Sequence, residues 1–441
     1  MLFSPEFFIK AVQLLLSLSI LIVLHELGHF IPAKLFGTRV EKFYLFFDVK
    51  YSLFKKKIGE TVYGIGWLPL GGYVKISGMI DESFDKEQMG KPPQPWEFRS
   101  KPAWQRLIIM LGGVTVNLAV GFLIYMMVLF IWGKQTLPQD SIPLGMQPSP
   151  IVQKYGFEKG DKIVNVDGKE LDNVLDINRM LLFRPVDYVT VQKTNGSTSE
   201  ISIPSDLGND IFKSGQINSF SPIFSAEIDS VIPDSPALYS GLQSGDKILS
   251  VNDYLINDWA SFSDWMDNNQ DDIINLTVER NQTNYNITID RDDDGTIGVY
   301  PAFNIQTINQ ELGLLESVIQ GFDYGYWTLY EYVSGFKFLA TKEGAQQLGG
   351  FGTIGNIFPA TWDWRGFWLS TALISIILAF MNVLPIPALD GGHVMFLIYE
   401  MVTGKKLSDR FMEVATMIGF FLLIALVLYA NGNDLFRFLN G

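Results

Sequence analysis

The sequence predicts a polytopic α-helical membrane protein with about four transmembrane helices and a β-rich insert between the second and the third. Hydrophobic residues make up 48% of the 441 residues and charged residues only 18%, a low charge content for a soluble domain. Four segments reach the length of about 20 mostly apolar residues that a membrane-spanning helix needs. The insert contains an internal repeat in which apolar residues alternate, and such alternation is typical of β-strands.

The composition also excludes several classes of protein. The chain has no cysteine, so neither a disulfide framework nor a cysteine metal site is available to it. Its net charge of -14 argues against nucleic acid as a partner, because nucleic-acid-binding surfaces are basic.

The apolar segments define the predicted helices and the regions between them. We assign transmembrane helices to residues 1–33, 104–132, 366–390 and 413–432, followed by a C-terminal tail at 433–441. A cleaved signal peptide is the alternative for the first segment, but its apolar run continues without a cleavage site of small residues.

The charges of the connecting loops predict the orientation. Two loops are rich in positively charged residues. The loop at 34–103 contains Lys55, Lys56 and Lys57, and the loop at 391–412 contains Lys405 and Lys406. Cytoplasmic loops carry such an excess of Lys and Arg. Both loops are therefore predicted to be cytoplasmic, and the long insert and both termini lie on the opposite side of the membrane.

The insert contains the sequences GFEKGDKIVNVDGKEL, at 156–171, and GLQSGDKILSVNDYLI, at 241–256. Both follow a G-x-x-x-GDKI-x-x-V pattern, in which Gly-Asp marks a turn and the apolar alternation marks a strand. They resemble PDZ domains, in the tandem arrangement of bacterial periplasmic proteases, so we predict two PDZ-like α+β domains at 133–215 and 216–305. PDZ domains bind peptide C-termini or extended segments by strand addition. The alternative is a pair of β-rich spacers without a ligand, and the shorter segment before the first copy leaves its peptide groove open to question.

Residues 306–365 follow the two domains. The aromatic-rich sequence FDYGYWTLYEYVSGFKF favours an amphipathic helix at the membrane surface, and LGGFGTIGN predicts a glycine-rich loop before the third transmembrane helix.

The first transmembrane segment contains the sequence LHELGHF, with His25, Glu26 and His29. Two histidines at i and i+4 lie on one face of a helix, and the glutamate beside them is placed to act as a general base at a metal. Two buried histidines that pack between helices are the alternative. Ionisable residues within a membrane span are costly and indicate function, and the chain has only three histidines.

A catalytic zinc needs three protein ligands and an open position. The end of the third segment offers two candidates for the third ligand, Asp390 and His393, and the spacing alone does not choose between them. An aspartate that caps a helix is the alternative for Asp390.

Two further segments have the features of a peptide-binding site. Asn382 offers a donor and an acceptor within the third segment, and Pro385 and Pro387 break that helix and free carbonyl groups; a simple kink is the alternative. The sequence TVYGIGWLPLGGYVKISGM, within residues 58–79, predicts a membrane-associated β-hairpin, and an ordinary cytoplasmic hairpin is its alternative.

Taken together, HExxH in the first span, the N-x-x-P-x-P-x-LDG sequence in a late span and the PDZ-like repeat between them resemble the site-2 protease family of intramembrane zinc metalloproteases, in its bacterial regulator-of-sigma-E type. The resemblance covers nearly the whole chain. It implies one Zn²⁺ bound by His25, His29 and Asp390, with Glu26 as the catalytic base and His393 outside the ligand set.

The family's other motifs indicate substrate-binding residues. The resemblance implies this role for Gly71, Gly72 and Tyr73 in the PLGGYVK segment, which would pair with an extended substrate, and for Asn382, Pro385, Pro387 and Asn117. Asn117 ends the sequence GGVTVN, where this chain has Gly112-Gly113 in place of the Gly-Pro that is frequent in the family.

The implied function is hydrolysis of peptide bonds within the transmembrane segments of single-pass membrane proteins. Substrates would be anti-sigma-factor-like proteins already trimmed by another protease, with remnant signal peptides as a second class. The implied setting is regulated intramembrane proteolysis in a stress response. The protein would lie in the lipid of the bacterial inner membrane, with periplasmic PDZ-like domains and an active site near the cytoplasmic side.

Two other functions are weighed against this one: a PDZ-bearing membrane scaffold with a structural metal site, and a metal transporter. A closed structural site needs no general base, yet Glu26 is present. Transporters are often built from repeated spans, and the sequence shows none.

Overall fold

The computed structural model describes residues 4–69, 71–79, 92–292, 294–303 and 305–440. Residue 70 of the PLGGYVK segment and residues 80–91 of the predicted cytoplasmic loop lie outside the described residues. The chain forms two compact units, Met1–Gly133 with Glu311–Gly441 as the first and Lys134–Gln310 as the second.

The first unit begins with a long helix, a group of four strands and a second long helix. These elements are α1 (Pro5–Leu35), β1 (Val40–Leu45), β2 (Phe47–Ile58), β3 (Thr61–Leu68), β4 (Tyr73–Ile76) and α2 (Ala103–Trp132).

The second unit alternates short strands and helices. Its elements are β5 (Lys134–Thr136), β6 (Met146–Pro148), α3 (Pro150–Gln153), β7 (Lys162–Val166), α4 (Asp176–Phe183), β8 (Tyr188–Gln192), β9 (Thr198–Ser202), α5 (Leu207–Ser214), β10 (Phe220–Pro222), β11 (Ile228–Val231), α6 (Pro236–Tyr239), β12 (Lys247–Val251), β13 (Tyr254–Leu255), α7 (Trp259–Asn268), β14 (Ile273–Arg280), β15 (Thr283–Asp290), β16 (Val299–Pro301) and β17 (Ile308–Gln310).

The chain then returns to the first unit as a series of helices. These are α8 (Leu314–Gly335), α9 (Lys342–Gln347), α10 (Phe351–Gly355), α11 (Trp364–Val383), α12 (Asp390–Thr403) and α13 (Asp409–Asn440).

Four helices, α1, α2, α11 and α13, are long and apolar enough to cross a membrane, as the sequence predicted. The third ends earlier than expected, at Val383 rather than 390. Pro385 and Pro387 explain the difference, since proline has no amide hydrogen to donate and its ring obstructs the preceding turn. The chain therefore leaves the helix at 384–389 and starts α12 at Asp390.

Helix α2 lies at the centre of the first unit, where it packs against α1, α8, α11 and α12. Gly28 of α1 faces Gly112 of α2, and a Cβ atom on either glycine would collide with the backbone of the other helix. Small residues allow this close approach of helices, which is typical of membrane interiors. The His-Glu-His turn of α1 is thereby held against α2.

The strands of the first unit form one mixed sheet in the order β2-β3-β1-β4. Strand β1 is parallel to β3 and antiparallel to β4, while β2 and β3 form an antiparallel hairpin. The predicted hairpin over 58–79 has the wrong pairing, because β3 and β4 each pair with β1 rather than with each other. In the described part of the chain β4 is an edge strand, and it packs beside α1.

The second unit contains two similar halves. One has the sheet β7-β8-β9 and the other the sheet β13-β12-β14-β15. The Gly-Asp turns of the repeat have the same geometry, since Asp161 accepts from the Glu158 amide at 2.8 Å and Asp246 accepts from the Gln243 amide at 2.9 Å. Both aspartates are buried. The repeated sequence thus corresponds to a repeated turn, although β10, in the predicted second domain, pairs with β6 of the first.

Candidate metal centre

The two histidines of α1 meet on one face of the helix. His25 Nε2 lies 3.3 Å from His29 Nε2, and the rings are nearly perpendicular with centroids 4.8 Å apart. This arrangement follows from their i, i+4 spacing, as the sequence predicted.

Asp390 joins the two histidines from the far end of the chain. Its Oδ2 atom lies 3.4 Å from His25 Nε2 and 3.3 Å from His29 Nε2. Each of the three residues offers one ligand atom, and these atoms all lie within 4.8 Å of one another. Of the two candidates for the third ligand, the structure brings Asp390 into the group.

The break after α11 positions this carboxylate. Ala388, just before α12, has a φ of 90°, a conformation that is strained for a residue with a Cβ atom. Gly391 packs so closely against the backbone of Val383 and Leu384 that a Cβ atom would collide there. The tight turn places Asp390 at the start of α12, beside α1.

Contacts with α2 orient both imidazoles. His29 Nδ1 lies 2.8 Å from the Ile109 carbonyl oxygen, so Nδ1–H donates to it and Nε2 is the ring nitrogen that faces Asp390. His25 Nδ1 lies 3.1 Å from the Asn117 amide nitrogen, and Asn117 Oδ1 is buried without a partner in the described part of the chain. An amide keeps its shape when it is turned over, and Oδ1 then accepts from Nδ1–H of His25.

These donors fit a divalent metal ion. Two imidazole nitrogens and one carboxylate oxygen form a known ligand set for catalytic zinc, which keeps its fourth position open. Asp390 Oδ2 is buried and has no hydrogen-bond donor among the described residues, and a cation would neutralise its charge. The carbonyl behind His29 is the kind of outer partner that orients a histidine ligand.

A cavity of about 610 Å³ opens beside the three ligands, and Glu26 lines it. Gly72, at the approach to β4, comes close to α1, because a Cβ atom on Gly72 would collide with Ile22 Cγ2 and lie 3.6 Å from Glu26 Cγ. The lack of a side chain at this position lets the strand approach the turn of α1 that carries Glu26.

The other predicted site residues fall into two groups. Gly71, Gly72, Tyr73 and Asn382 line the cavity, as does His393. Pro385, Pro387 and Asn117 are not among its lining residues. Pro387 packs against α13, where its carbonyl oxygen meets Gly419, and Asn117 lies behind His25.

Two lining residues that the sequence analysis did not name are Lys42 and Asp48. The Tyr73 hydroxyl donates to Asp48 Oδ1 at 2.7 Å, and Lys42 Nζ lies 3.3 Å from Asp48 Oδ2. Burial would raise the pKa of Asp48, but the hydrogen bond from Tyr73 and the charge of Lys42 hold that pKa below its ordinary value. Lys42, Asp48 and Tyr73 are too far apart in the sequence to form a local motif that would predict this contact.

Comparison with known proteins identifies relatives across nearly the whole chain. The model of Peptidase family M50 matches residues 13–426. The chain is 28% identical to "Regulator of sigma E protease" of Haemophilus influenzae over 96% of this chain and 98% of the relative. It is 30% identical to "Protease RseP" of Yersinia pestis over 96% and 97%, and 25% identical to "Putative zinc metalloprotease Cj1068" of Campylobacter jejuni over 97% and 94%.

Proposed function

The chain belongs to Peptidase family M50, which confirms the resemblance found in its sequence, and we propose that it is an intramembrane zinc endopeptidase of the regulator-of-sigma-E type. One observation carries the proposal. His25 and His29, on a helix apolar enough to cross a membrane, meet Asp390 with Glu26 beside them.

The residues of the centre have two kinds of role, metal binding and proton transfer. His25, His29 and Asp390 hold one Zn²⁺. When bound, zinc supplies Lewis-acid polarisation of the scissile carbonyl group and acidifies water. Glu26 accepts the proton of the attacking water through its carboxylate and later delivers a proton to the leaving amine nitrogen.

The substrate segment must be extended to be cut. An extended backbone in hydrocarbon leaves its polar groups unsatisfied, so the enzyme has to offer partners. Strand β4 supports this step, because it is an edge strand in the described part of the chain and its residues Tyr73 and Val74 line the cavity. We assign Gly71, Gly72 and Tyr73 to strand addition with the substrate, and Asn382 to a side-chain hydrogen bond with the substrate backbone.

Contacts between the two lysine-rich regions support the proposed orientation. Arg106 Nη2 lies 2.6 Å from Glu400 Oε1, and Lys406 donates to the Arg99 carbonyl at 3.4 Å. Both regions therefore lie at the same end of the first unit, as two cytoplasmic segments would. The proposed setting is the bacterial inner membrane, with the metal centre near the cytoplasmic side.

The second unit supports a role in selecting substrates. Its two halves share the buried aspartate turn, and we propose that they are periplasmic PDZ-like domains that bind peptide C-termini or extended segments and exclude untrimmed proteins by size. The proposed substrates are single-pass membrane proteins that resemble anti-sigma factors, with remnant signal peptides as a second class. The proposed setting is regulated intramembrane proteolysis during stress.

Cleavage of a tagged, truncated single-span protein tests the proposal. Wild type is compared with Glu26→Gln and with Glu6→Gln, a control in the first turn of the same helix. We expect wild type and the control to cleave, Glu26→Gln to be inactive, and a zinc chelator to stop cleavage reversibly. Equal processing by Glu26→Gln would refute the proposed role of the base.

A further inference from the structure

Helix α13 is largely exposed in the described chain, and one of its few buried side chains is polar. Of its described residues only Thr416, Gly419 and Ala430 are buried. The Thr416 side chain is 1% exposed, and its Oγ1 atom has no hydrogen-bond partner in the described part of the protein.

Several other hydroxyl groups on the long helices have a local partner, whereas those of Ser17 on α1 and Ser317 on α8 also have none among the described residues, and neither lines the cavity. Five of them donate to the carbonyl oxygen one turn earlier: Ser19 to Leu15, Thr115 to Leu111, Thr328 to Tyr324, Thr371 to Phe367 and Thr403 to Tyr399. This bond is the usual way to satisfy a hydroxyl group in an apolar helix. Thr416 does not make it, so its hydroxyl group stays available for another partner.

The unpartnered hydroxyl belongs to a residue that lines the cavity of the metal centre. Thr416 shares that cavity with Glu26, Asn382 and Asp390. Gly419, one turn further along α13, packs against the Pro387 carbonyl, where a Cβ atom would collide. This close contact sets the position of Thr416 relative to the break that carries Asp390.

We propose that Thr416 positions the substrate, with its Oγ1–H donating a hydrogen bond to a backbone carbonyl oxygen of the extended substrate segment. The inference rests on the proposed function and adds the fourth candidate span to the substrate-binding site. A buried hydroxyl group is costly without a partner, and an extended peptide in the membrane brings a row of carbonyl groups that need donors. Substrate binding satisfies both needs at once.

Two substitutions separate the hydroxyl group from the shape of the side chain. Thr416→Val keeps the shape and removes the donor, whereas Thr416→Ser keeps the donor and removes a methyl group. We expect Thr416→Val to lower kcat/KM for the truncated single-span substrate by about 10-fold, and Thr416→Ser to stay within about 3-fold of wild type. Zinc content should not change in either variant, and Thr416→Val should not lower Tm, because it removes a buried hydroxyl group that has no partner without substrate. Normal turnover by Thr416→Val with impaired turnover by Thr416→Ser would show a packing role and overturn the inference.

A binding measurement keeps this test separate from the proposed function. In the Glu26→Gln background, adding Thr416→Val should weaken binding of the same tagged substrate by about 10-fold. Adding Thr115→Val, which removes a hydroxyl group already bonded to Leu111, should leave binding unchanged. Equal binding with and without Thr416→Val would overturn the inference, whether or not wild type cleaves. A wild type without Glu26-dependent cleavage would contradict the proposed function instead.

Discussion

The amide group of Asn117, on α2, lies 3.1 Å from Nδ1 of His25, on α1. The imidazole ring of His25 is therefore held on the side opposite to Asp390, so that its Nε2 atom faces the Asp390 carboxylate. Asn117 is itself fixed, because the Ser375 hydroxyl donates to its backbone carbonyl at 2.7 Å. Three candidate spans thus contribute to the orientation of one ligand.

Asn117→Leu should weaken zinc binding by about 10- to 100-fold, the range typical of lost outer partners of metal ligands. The leucine fills a similar volume but offers no acceptor to Nδ1–H. Competition with a chelator of known affinity measures the effect in purified protein. Thr115→Val on the same helix is the control, and equal zinc affinity in both variants would refute the orienting role.

Gly113→Ala should abolish zinc binding without unfolding the protein. A Cβ atom at this position would collide with the imidazole rings of His29 and His25, whereas alanine is otherwise favoured over glycine in a helix. Zinc per chain and Tm should be measured together. Gly432→Ala, where a Cβ atom meets no described atom within 4 Å, should retain zinc; full zinc occupancy in Gly113→Ala would contradict the observed packing.

Gly72→Ala should reduce cleavage by at least about 10-fold while zinc stays bound. The added Cβ atom would meet Ile22 Cγ2 and the Tyr44 carbonyl oxygen, which pushes the approach to β4 away from α1 and misaligns the substrate. The assay compares kcat/KM with zinc content. Gly313→Ala has an open environment, with its nearest atom at 3.7 Å, and should behave as wild type. Wild-type kcat/KM in Gly72→Ala would show that this close approach is not needed.

Asp258 should make the stability of the second unit depend on pH in acid. Burial would raise the pKa of this carboxyl group, but its hydrogen bond with Lys159, together with the Ser261 amide, holds the pKa below its ordinary value. The unfolded chain then takes up the proton first as the pH falls, so the stabilisation is complete above about pH 4 and is lost below it.

Asp258→Asn keeps an oxygen that caps α7 and removes the charge. The difference in Tm between wild type and this variant should be constant from about pH 7 to about pH 5 and shrink below about pH 4. Thermal unfolding of the full chain measures it. A Tm difference that grows as the pH falls would contradict a lowered pKa of Asp258 in the folded protein.

Much of the candidate centre could be predicted because its signals are local. The spacing of His25 and His29 places them on one helix face whatever the rest of the chain does, and Asp390 is an isolated carboxylate at the end of an uncharged span. The four apolar helices were predictable for the same reason, since length and composition are enough to find them.

The remaining features depend on contacts between distant segments. The Ile109 carbonyl group that orients His29 belongs to the backbone, so no side chain in the sequence indicates its role. The alternation of apolar and polar residues along a strand does not determine which strand it pairs with, so the pairing of β3 and β4 with β1 was not predictable. The sequence shows that Thr416 carries a hydroxyl group in an apolar helix, but only the structure shows that this group lacks the usual bond to the preceding turn.

Zinc content of purified Asp390→Ala and His393→Ala tests the central claim most directly, because the two residues lie one turn apart on α12 and were the competing candidates for the third ligand. We expect about one zinc per chain in wild type and in His393→Ala, and loss of zinc in Asp390→Ala. Stoichiometric zinc in Asp390→Ala, with loss of zinc in His393→Ala, would contradict the proposed ligand set.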